Sequence, residues 1–234
     1  MTNNIILELK DIHLRLKSND FEVNILNGID LKLVEGKAVA ILGASGSGKS
    51  SMMSVMNGLE RQTSGSVIVA GHTLDNMNED QLALFRRDNI GIILQAFHLI
   101  PTMTAIENVA VPMELAGIKE AIEIAKKMLE DVGLSHRMDH FPTQLSGGEQ
   151  QRVAIARAMA PHPKILFADE PTGNLDGKTG HNIIDLIFSL REKNNATLIL
   201  ITHDQELAGK CDQIIHIEDG LIVDAHHNDE KAAE

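Results

Sequence analysis

A glycine-rich loop constrains this chain more than any other sequence feature. The loop reads Gly-Ala-Ser-Gly-Ser-Gly-Lys-Ser over residues 43–50. Residues 38–42 before it have strand character, and residues 51–59 after it carry apolar side chains at helical spacing. Glycines let successive N–H groups turn towards phosphate oxygens, and a helix start adds partial positive charge. The pattern predicts a phosphate-binding loop and not merely a flexible Gly/Ser turn.

Two residues at the end of this loop are expected to contact the nucleotide and its metal. Lys49 can reach the β- and γ-phosphates, and the Ser50 hydroxyl can ligate Mg²⁺. The predicted nucleotide-binding residues of the loop and first helical turn are Gly43, Ala44, Ser45, Gly46, Ser47, Gly48, Lys49, Ser50 and Ser51.

The composition of the chain limits the kinds of partner and compartment that we expect. The 21 basic and 33 acidic residues give a net charge of −12, which disfavours binding to nucleic acid or anionic lipid. Cys211 is the only cysteine, so no internal disulfide can form, and the chain fits a reducing compartment. The N-terminus lacks the pattern of a signal peptide, and no apolar run approaches the roughly 18 to 20 residues that span a bilayer. We therefore expect any membrane role to come through a partner.

Alternating strand and helix patterns predict an α/β fold. Residues 5–34 alternate as antiparallel strands, with turns expected at 17–20 and at Asn27-Gly28. Apolar strands at 165–168 and 197–201 flank a helical pattern, as in a mixed, largely parallel sheet covered on both faces. A helical subdomain is predicted at about residues 97–160. The fold class is a P-loop NTPase core with an N-terminal antiparallel β-subdomain and this insert.

The predicted domain covers residues 1–225. Residues 226–234 are polar and are expected to form a disordered tail. His226 and His227 lie next to each other there, but adjacent histidines in a mobile tail are not expected to bind metal.

Two acidic residues end a buried strand. Asp169 and Glu170 follow the apolar run 165–168, and the carboxyl end of a strand is where α/β folds place ligand chemistry. Asp169 is suited to holding Mg²⁺ through a water molecule, and Glu170 to orienting and deprotonating the attacking water. A solvated acidic turn is the alternative.

A second helix start could also hold an anion. Ser and two Gly open a helix after residue 145, although a plain N-cap would look the same. One nucleotide cannot easily use both helix starts within one protomer. The residues of this segment are Leu145, Ser146, Gly147, Gly148, Glu149 and Gln150.

These motifs, together with Gln95, residues 174–176 and His203, resemble in order and spacing the nucleotide-binding subunits of ABC transporters. The resemblance covers residues 5–224. Residues 97–109 and 168–176 are similar to the branch that serves lipoprotein release and macrolide export, and within it to the YbbA-type ATPases.

The resemblance implies an ATPase that uses ATP and Mg²⁺. It implies that Gln95 and Asp169 support the metal together with Ser50, that Glu170 is the catalytic base, and that His203 touches the γ-phosphate.

The resemblance also implies an ATP-dependent homodimer. Ser146 and Gly148 would bind the γ-phosphate of ATP held by the other protomer, and Asp176 would bridge the interface. Two chains would then meet head to tail and sandwich two ATP molecules.

The implied partner is an integral membrane permease, which would hold the subunit at the cytoplasmic face of the inner membrane. Leu99, Ile100 and Met103 could form part of an apolar cleft for a permease helix, although core packing explains them almost as well. The rival function is a soluble ABC ATPase acting on nucleic acid or ribosomes, which the charge disfavours. A nucleotide kinase would not explain residues 145–150.

The base contact departs from the family pattern. Many relatives stack adenine on an aromatic side chain before the loop, but this chain has no Tyr or Trp. Phe21 lies in the right region and is the candidate, whereas alignment through residues 25–28 places Leu16 at the aromatic position. The sequence therefore predicts weaker discrimination of adenine.

Overall fold

A computed structural model describes residues 4–18 and 21–228. In chain order the strands are β1 (Ile5–Ser18), β2 (Phe21–Val34), β3 (Ala38–Leu42), β4 (Ser64–Val69), β5 (His72–Thr73), β6 (Ile90–Leu94), β7 (Ile165–Asp169), β8 (Thr197–Ile201), β9 (Gln213–Glu218) and β10 (Leu221–His227). The helices are α1 (Lys49–Met56), α2 (Glu79–Asn89), α3 (Ala105–Leu115), α4 (Ala121–Asp131), α5 (Gly147–Met159), α6 (Gly177–Asn194) and α7 (Gln205–Gly209). The described residues form two compact units, one up to Arg86 and from Thr197 onward, the other Arg87–Ala196.

The first unit contains an antiparallel sheet in the order β2-β1-β4-β5. Leu7 and Leu9 of β1 are buried, as the sequence alternation predicts, and after a register shift the alternation continues with buried Ile12 and Leu14. The predicted turn at Asn27-Gly28 is wrong. Both residues lie inside β2, where Ile29 pairs with Ile12 and Asn27 pairs with His13. Gly28, with φ of 94°, is the extra residue of a bulge, which the same Asn-Gly pair can form.

The first unit also holds strands in the order β10-β9-β3-β8. Strand β3 pairs in parallel with β8 and β9, and all its residues are buried, because helices cover strands of this kind on both faces. The predicted start of the disordered tail, at residue 226, is wrong. His226 and His227 complete β10 opposite Ile214 and Gln213, because main-chain pairing does not require apolar side chains. Residues 229–234 of that predicted tail lie outside the described residues.

The second unit combines a parallel strand pair with helices. Strand β6 pairs with β7, with Ile90 opposite Ile165 and Leu94 opposite Asp169. Between them in the chain come α3, α4 and α5, and α6 follows β7. Phe167 in β7 is fully buried. The predicted fold class, with an antiparallel sheet, a largely parallel sheet and a helical insert, is confirmed.

Truncation of the central side chain of β7 should destabilise the second unit. We expect Phe167→Ala to cost about 3–5 kcal/mol, because it removes apolar contacts and leaves a cavity. Phe141→Ala is the matched control, since this phenylalanine is 42% exposed and its loss should cost less than about 1 kcal/mol. Urea unfolding followed by circular dichroism measures both. Equal shifts in the two variants would contradict the assignment of Phe167 to the core.

Candidate nucleotide-binding site

The glycine-rich loop joins buried β3 to α1 in the first unit. Gly48 has φ of 102°, and a Cβ there would lie 3.0 Å from the Ile25 carbonyl oxygen. A Cβ on Gly43 would overlap the Ile217 carbonyl oxygen. Both positions therefore require glycine. No side chain caps α1, and no acidic residue lies in its first turn. Its first N–H groups are available for an anion.

Lys49 lies folded into this loop. Its side chain is buried, and its Nζ donates to the Gly43 and Ala44 carbonyl oxygens at 2.8 and 2.7 Å. An ammonium group has three donors, so a third remains for a phosphate oxygen. Ser50 is exposed in the first turn of α1, and Ser51 is half-buried. The loop thus presents a cation, N–H groups and a hydroxyl on one short segment.

His203 lies next to the start of this loop. Ile201 at the end of β8 pairs with Ile41 of β3, and the Thr202 N–H donates to the Ile41 carbonyl oxygen at 3.3 Å. His203 follows directly and is exposed. The structure thus brings together the loop and His203, which are far apart in the sequence.

The second unit places Gln95 beside Asp169 and Glu170. Leu94 pairs with Asp169, so the next residue of each strand also falls at the same edge. Asn174 Nδ2 donates to the Gln95 carbonyl oxygen at 2.9 Å. The Gln95 side chain lies so close to Gly173 that a Cβ there would be 2.7 Å from its Nε2. These contacts fix the segment that follows β6 against the segment that follows β7.

Glu170 has a strained backbone. Its φ is 47°, a region that costs a residue with a Cβ roughly 1–2 kcal/mol. The Gly173 N–H donates to the Glu170 carbonyl oxygen at 3.0 Å and closes the turn that holds this conformation. Strain of this kind clusters at functional sites. The half-buried Glu170 carboxylate is therefore set by the turn as well as by the end of β7.

The segment 145–150 forms a capping box at the start of α5. The Ser146 N–H and hydroxyl donate to Glu149 Oε2 at 2.8 and 2.9 Å, and the Glu149 N–H donates back to Ser146 Oγ at 3.3 Å. Leu145 is buried and its carbonyl oxygen accepts from Gln150 Nε2. The Ser146 N–H donation is the main cause that lowers the pKa of Glu149. Ser146 itself is exposed, so it remains accessible.

Asp176 caps the neighbouring helix α6. Its Oδ1 accepts from the Thr179 N–H at 3.0 Å, and this bond lowers the pKa of Asp176. A Cβ on Gly148 would lie 2.8 Å from Thr179 Cγ2, and one on Gly147 would lie 3.5 Å from Leu175. Gly148 therefore lets the start of α5 approach the start of α6, whereas a Cβ at Gly147 would make an ordinary contact.

Three polar residues that the sequence analysis missed hold this region in place. Gln151, fully buried in α5, donates to the Pro171 carbonyl oxygen at 2.6 Å. Arg157 donates to the Phe97 and His98 carbonyl oxygens at 2.9 and 2.7 Å. Asn108 is the third. The sequence did offer one sign of these residues, because each is a polar residue at a helix position whose spacing predicts an apolar side chain.

Asn108 organises the segment after Gln95. It is fully buried, and its Nδ2 lies 3.0–3.1 Å from the carbonyl oxygens of Ile100, Met103 and Thr104. Its Oδ1 accepts from the Ile100 N–H at 2.7 Å. A loop with few main-chain bonds of its own is thereby fixed to α3.

The predicted base contact lies at the edge of what the structure describes. Phe21 begins β2, but its side chain lies outside the described part of the chain. Leu16 pairs with Val23 across β1 and β2, and both are exposed, at 45% and 51%.

Neither a preformed metal cluster nor a membrane span is found in the described ranges. Residues 4–18 and 21–228 contain no group of three or more His, Cys, Asp or Glu that could hold a metal ion. Within the same ranges no helix is long and apolar enough to cross a membrane.

The fold and the loop define a P-loop nucleotide-binding protein. The family model "ABC transporter" matches residues 26–173. The chain belongs to the ABC transporter ATP-binding family, as the sequence resemblance predicts.

Relatives of the same family match nearly the whole chain. It is 45% identical to the "Uncharacterized ABC transporter ATP-binding protein YbbA" of Escherichia coli K12, over 93% of this chain and 96% of that protein. It is 42% identical to the "Lipoprotein-releasing system ATP-binding protein LolD" of Acinetobacter baylyi, over 94% and 98%. It is also 42% identical to the "Macrolide export ATP-binding/permease protein MacB" of Shigella flexneri, over 93% of this chain and 34% of that protein.

A solved structure matches equally broadly. The ATP-binding cassette MJ0796, a dimer in a post-hydrolysis state bound to ADP and Pi, has a TM-score of 0.87 and 37% identity. The match covers 95% of this chain and 98% of that one.

Loss of the Asn108 amide should loosen the segment after Gln95. We expect Asn108→Leu to cost about 2–4 kcal/mol, because the Ile100 N–H and several carbonyl oxygens lose a buried partner. Amide hydrogen exchange at residues 100–104 should quicken. Glu114→Ala is the control, because Glu114 is exposed on the same helix. Unchanged exchange at 100–104 in Asn108→Leu would show that the segment is held by other contacts.

Proposed function

We propose that this chain is the ATP-hydrolysing subunit of an ABC transporter-type membrane complex and that ATP-dependent, head-to-tail dimerisation of two copies drives a permease partner. One observation carries the proposal. The chain has an uncapped helix start beside Lys49 in one unit and an exposed, serine-capped helix start at Ser146 in the other. Two copies would use both, each ATP resting on the loop of one copy and on Ser146 and Gly148 of the other.

We propose a role for each candidate residue, as the family resemblance implies. Lys49 holds the β- and γ-phosphates, and Glu170 takes the proton of the attacking water. Gln95, fixed against Gly173, and His203, beside the loop, orient the water and the γ-phosphate. Asp176 contacts the partner copy at the start of α6.

We propose Mg²⁺ as the metal cofactor, with three residues as its ligands. The Ser50 hydroxyl, the Asp169 carboxylate and the Gln95 amide oxygen are hard oxygen donors, and Mg²⁺ is commonly bound by one or two such groups together with substrate phosphates. A site of this kind needs no preformed cluster of three acidic or histidine side chains. When bound, the ion would neutralise charge that develops on the phosphates.

Membrane partnership is supported by the relatives. MacB carries "ATP-binding/permease" in one name, and this chain spans 34% of its length. We propose a permease as the partner of this chain as well. That partner would hold the subunit at the cytoplasmic face of the inner membrane. Residues 97–103, with half-buried Leu99, Ile100 and Met103, are the surface proposed to contact it. The rival soluble ABC ATPase acting on nucleic acid or ribosomes is disfavoured by the charge of −12.

Replacement of the base should trap the dimer. We expect Glu170→Gln to slow hydrolysis by roughly two to four orders of magnitude while ATP still binds, because the amide cannot take a proton. Size-exclusion chromatography with ATP and Mg²⁺ should show a dimer in Glu170→Gln that is absent in the parent. Adding Ser146→Arg should abolish that dimer without weakening ATP binding to the monomer. A monomeric Glu170→Gln that hydrolyses ATP at the parental rate would remove Glu170 from the mechanism.

Base discrimination should be weak. Because Leu16 offers aliphatic contact in place of an aromatic ring, we expect GTP to be hydrolysed measurably beside ATP. Base stacking contributes roughly 1–3 kcal/mol in nucleic-acid complexes, so Leu16→Tyr should raise ATP affinity by about 5- to 150-fold. Binding titrations with both nucleotides measure this. Strict ATP preference that is lost in Phe21→Ala would instead assign the base contact to Phe21.

A further inference from the structure

The start of α5 carries a negative charge where the proposed function needs an anion to bind. Glu149 lies in the first turn of α5, and its Oε2 engages both the N–H and the hydroxyl of Ser146. A carboxylate in this place repels an approaching phosphate. It also occupies the single hydroxyl proton of Ser146, which a phosphate oxygen would need as a donor.

Arg137 opposes this charge. Its Nε donates to the other carboxylate oxygen of Glu149, Oε1, at 3.0 Å. Arg137 and Ser146 therefore bind different oxygens of Glu149. The Arg137 and Glu149 side chains are 36% and 22% exposed, which leaves the pair less screened than two fully exposed charges.

His140 fixes the orientation of the guanidinium. Arg137 Nη1 lies 3.0 Å from His140 Nε2, and the His140 N–H donates to the Arg137 carbonyl oxygen at 3.0 Å. A guanidinium only donates, so Nε2 accepts and the proton of the neutral imidazole sits on Nδ1. Arg137 is thus held between Glu149 and His140.

We propose that Arg137 is a positioning residue for ATP-dependent dimerisation. Arg137 balances the charge of Glu149. Because of this balance, the Ser146 hydroxyl can turn its proton from Glu149 to the incoming phosphate. The inference rests on the proposed function. During this turn Glu149 keeps the Ser146 N–H on one oxygen and Arg137 on the other. The capping box therefore stays closed at its main-chain side while the hydroxyl is released.

A purely structural role for Arg137 makes a different prediction. If Arg137 only braced residues 137–149, removing the charge of Glu149 would not repair its loss. If it balances charge, Glu149→Gln should restore binding in a chain that lacks Arg137. Glutamine keeps an oxygen that accepts from the Ser146 N–H but does not repel phosphate.

The test measures ATP-dependent dimerisation of the full chain in the Glu170→Gln background by analytical ultracentrifugation with ATP and Mg²⁺. Arg137→Met keeps most of the apolar stem and removes the charge. We expect it to weaken dimerisation roughly three- to tenfold while ATP binding to the monomer is retained. Adding Glu149→Gln should bring the dimerisation constant back to within about twofold of Glu149→Gln alone.

Arg152→Met is the matched control. Arg152 lies on α5, as Glu149 does, and donates to the Val132 carbonyl oxygen at 3.0 Å. Its replacement therefore costs a comparable hydrogen bond that does not involve Glu149. Its dimerisation constant should stay within about twofold of the parent, because it leaves the charge at Glu149 unchanged. Thermal unfolding midpoints of all variants show whether each remains folded.

Failure of the inference and failure of the proposed function are distinguishable. A Glu170→Gln parent that does not dimerise with ATP, or one that still dimerises after Ser146→Arg, would overturn the proposed function and the inference with it. If the parent dimerises and Ser146→Arg blocks it, an Arg137→Met chain that dimerises like the parent overturns the inference alone. So does an Arg137→Met chain that stays weakened after Glu149→Gln is added.

Discussion

The first N–H groups of a helix have no partner within the helix, and the starts of α1 and α5 differ in whether the N-cap side chain binds them. At α1 no side chain does so, and Lys49 lies beside the open N–H groups. At α5 the carboxylate of Glu149 and the hydroxyl of Ser146 close the helix start, and Arg137 balances the carboxylate. The first helix start carries no acidic residue in its first turn, whereas the second must give up an internal bond to take a phosphate. This difference suits a site that should engage ATP only when the partner copy arrives.

Strand register supplies the rest of the geometry. Pairing of Ile41 with Ile201 puts His203 beside the loop, and pairing of Leu94 with Asp169 puts Gln95 beside Glu170. Gln95 and Glu170 each come one residue after a strand ends, and His203 comes two residues after β8 ends. A slip of one residue would turn these side chains away from their partners. The apolar composition of the strands therefore matters to the chemistry as much as to the core.

Local patterns could be predicted from the sequence, and long-range contacts could not. The strand, loop and helix around Lys49 and the fold class are confirmed, because each depends on neighbouring residues or on the order of apolar runs. The Asn27-Gly28 turn was wrong because the same dipeptide suits a bulge, and only the pairing with His13 decides. Gln151 and Arg137 bind residues 20 and 12 positions away, so a local pattern does not reveal their partners. The roles of the site residues stay predictions.

The four contacts of Asn108 have a mechanical consequence. Because one buried amide satisfies main-chain groups from Ile100 to Thr104, that segment and α3 cannot shift separately without breaking several buried hydrogen bonds at once. A displacement at one end of this piece is therefore carried to the other and is not absorbed by bending of the loop. Residues 100–108 therefore move as one piece, so a displacement of the loop reaches the first turns of α3 directly.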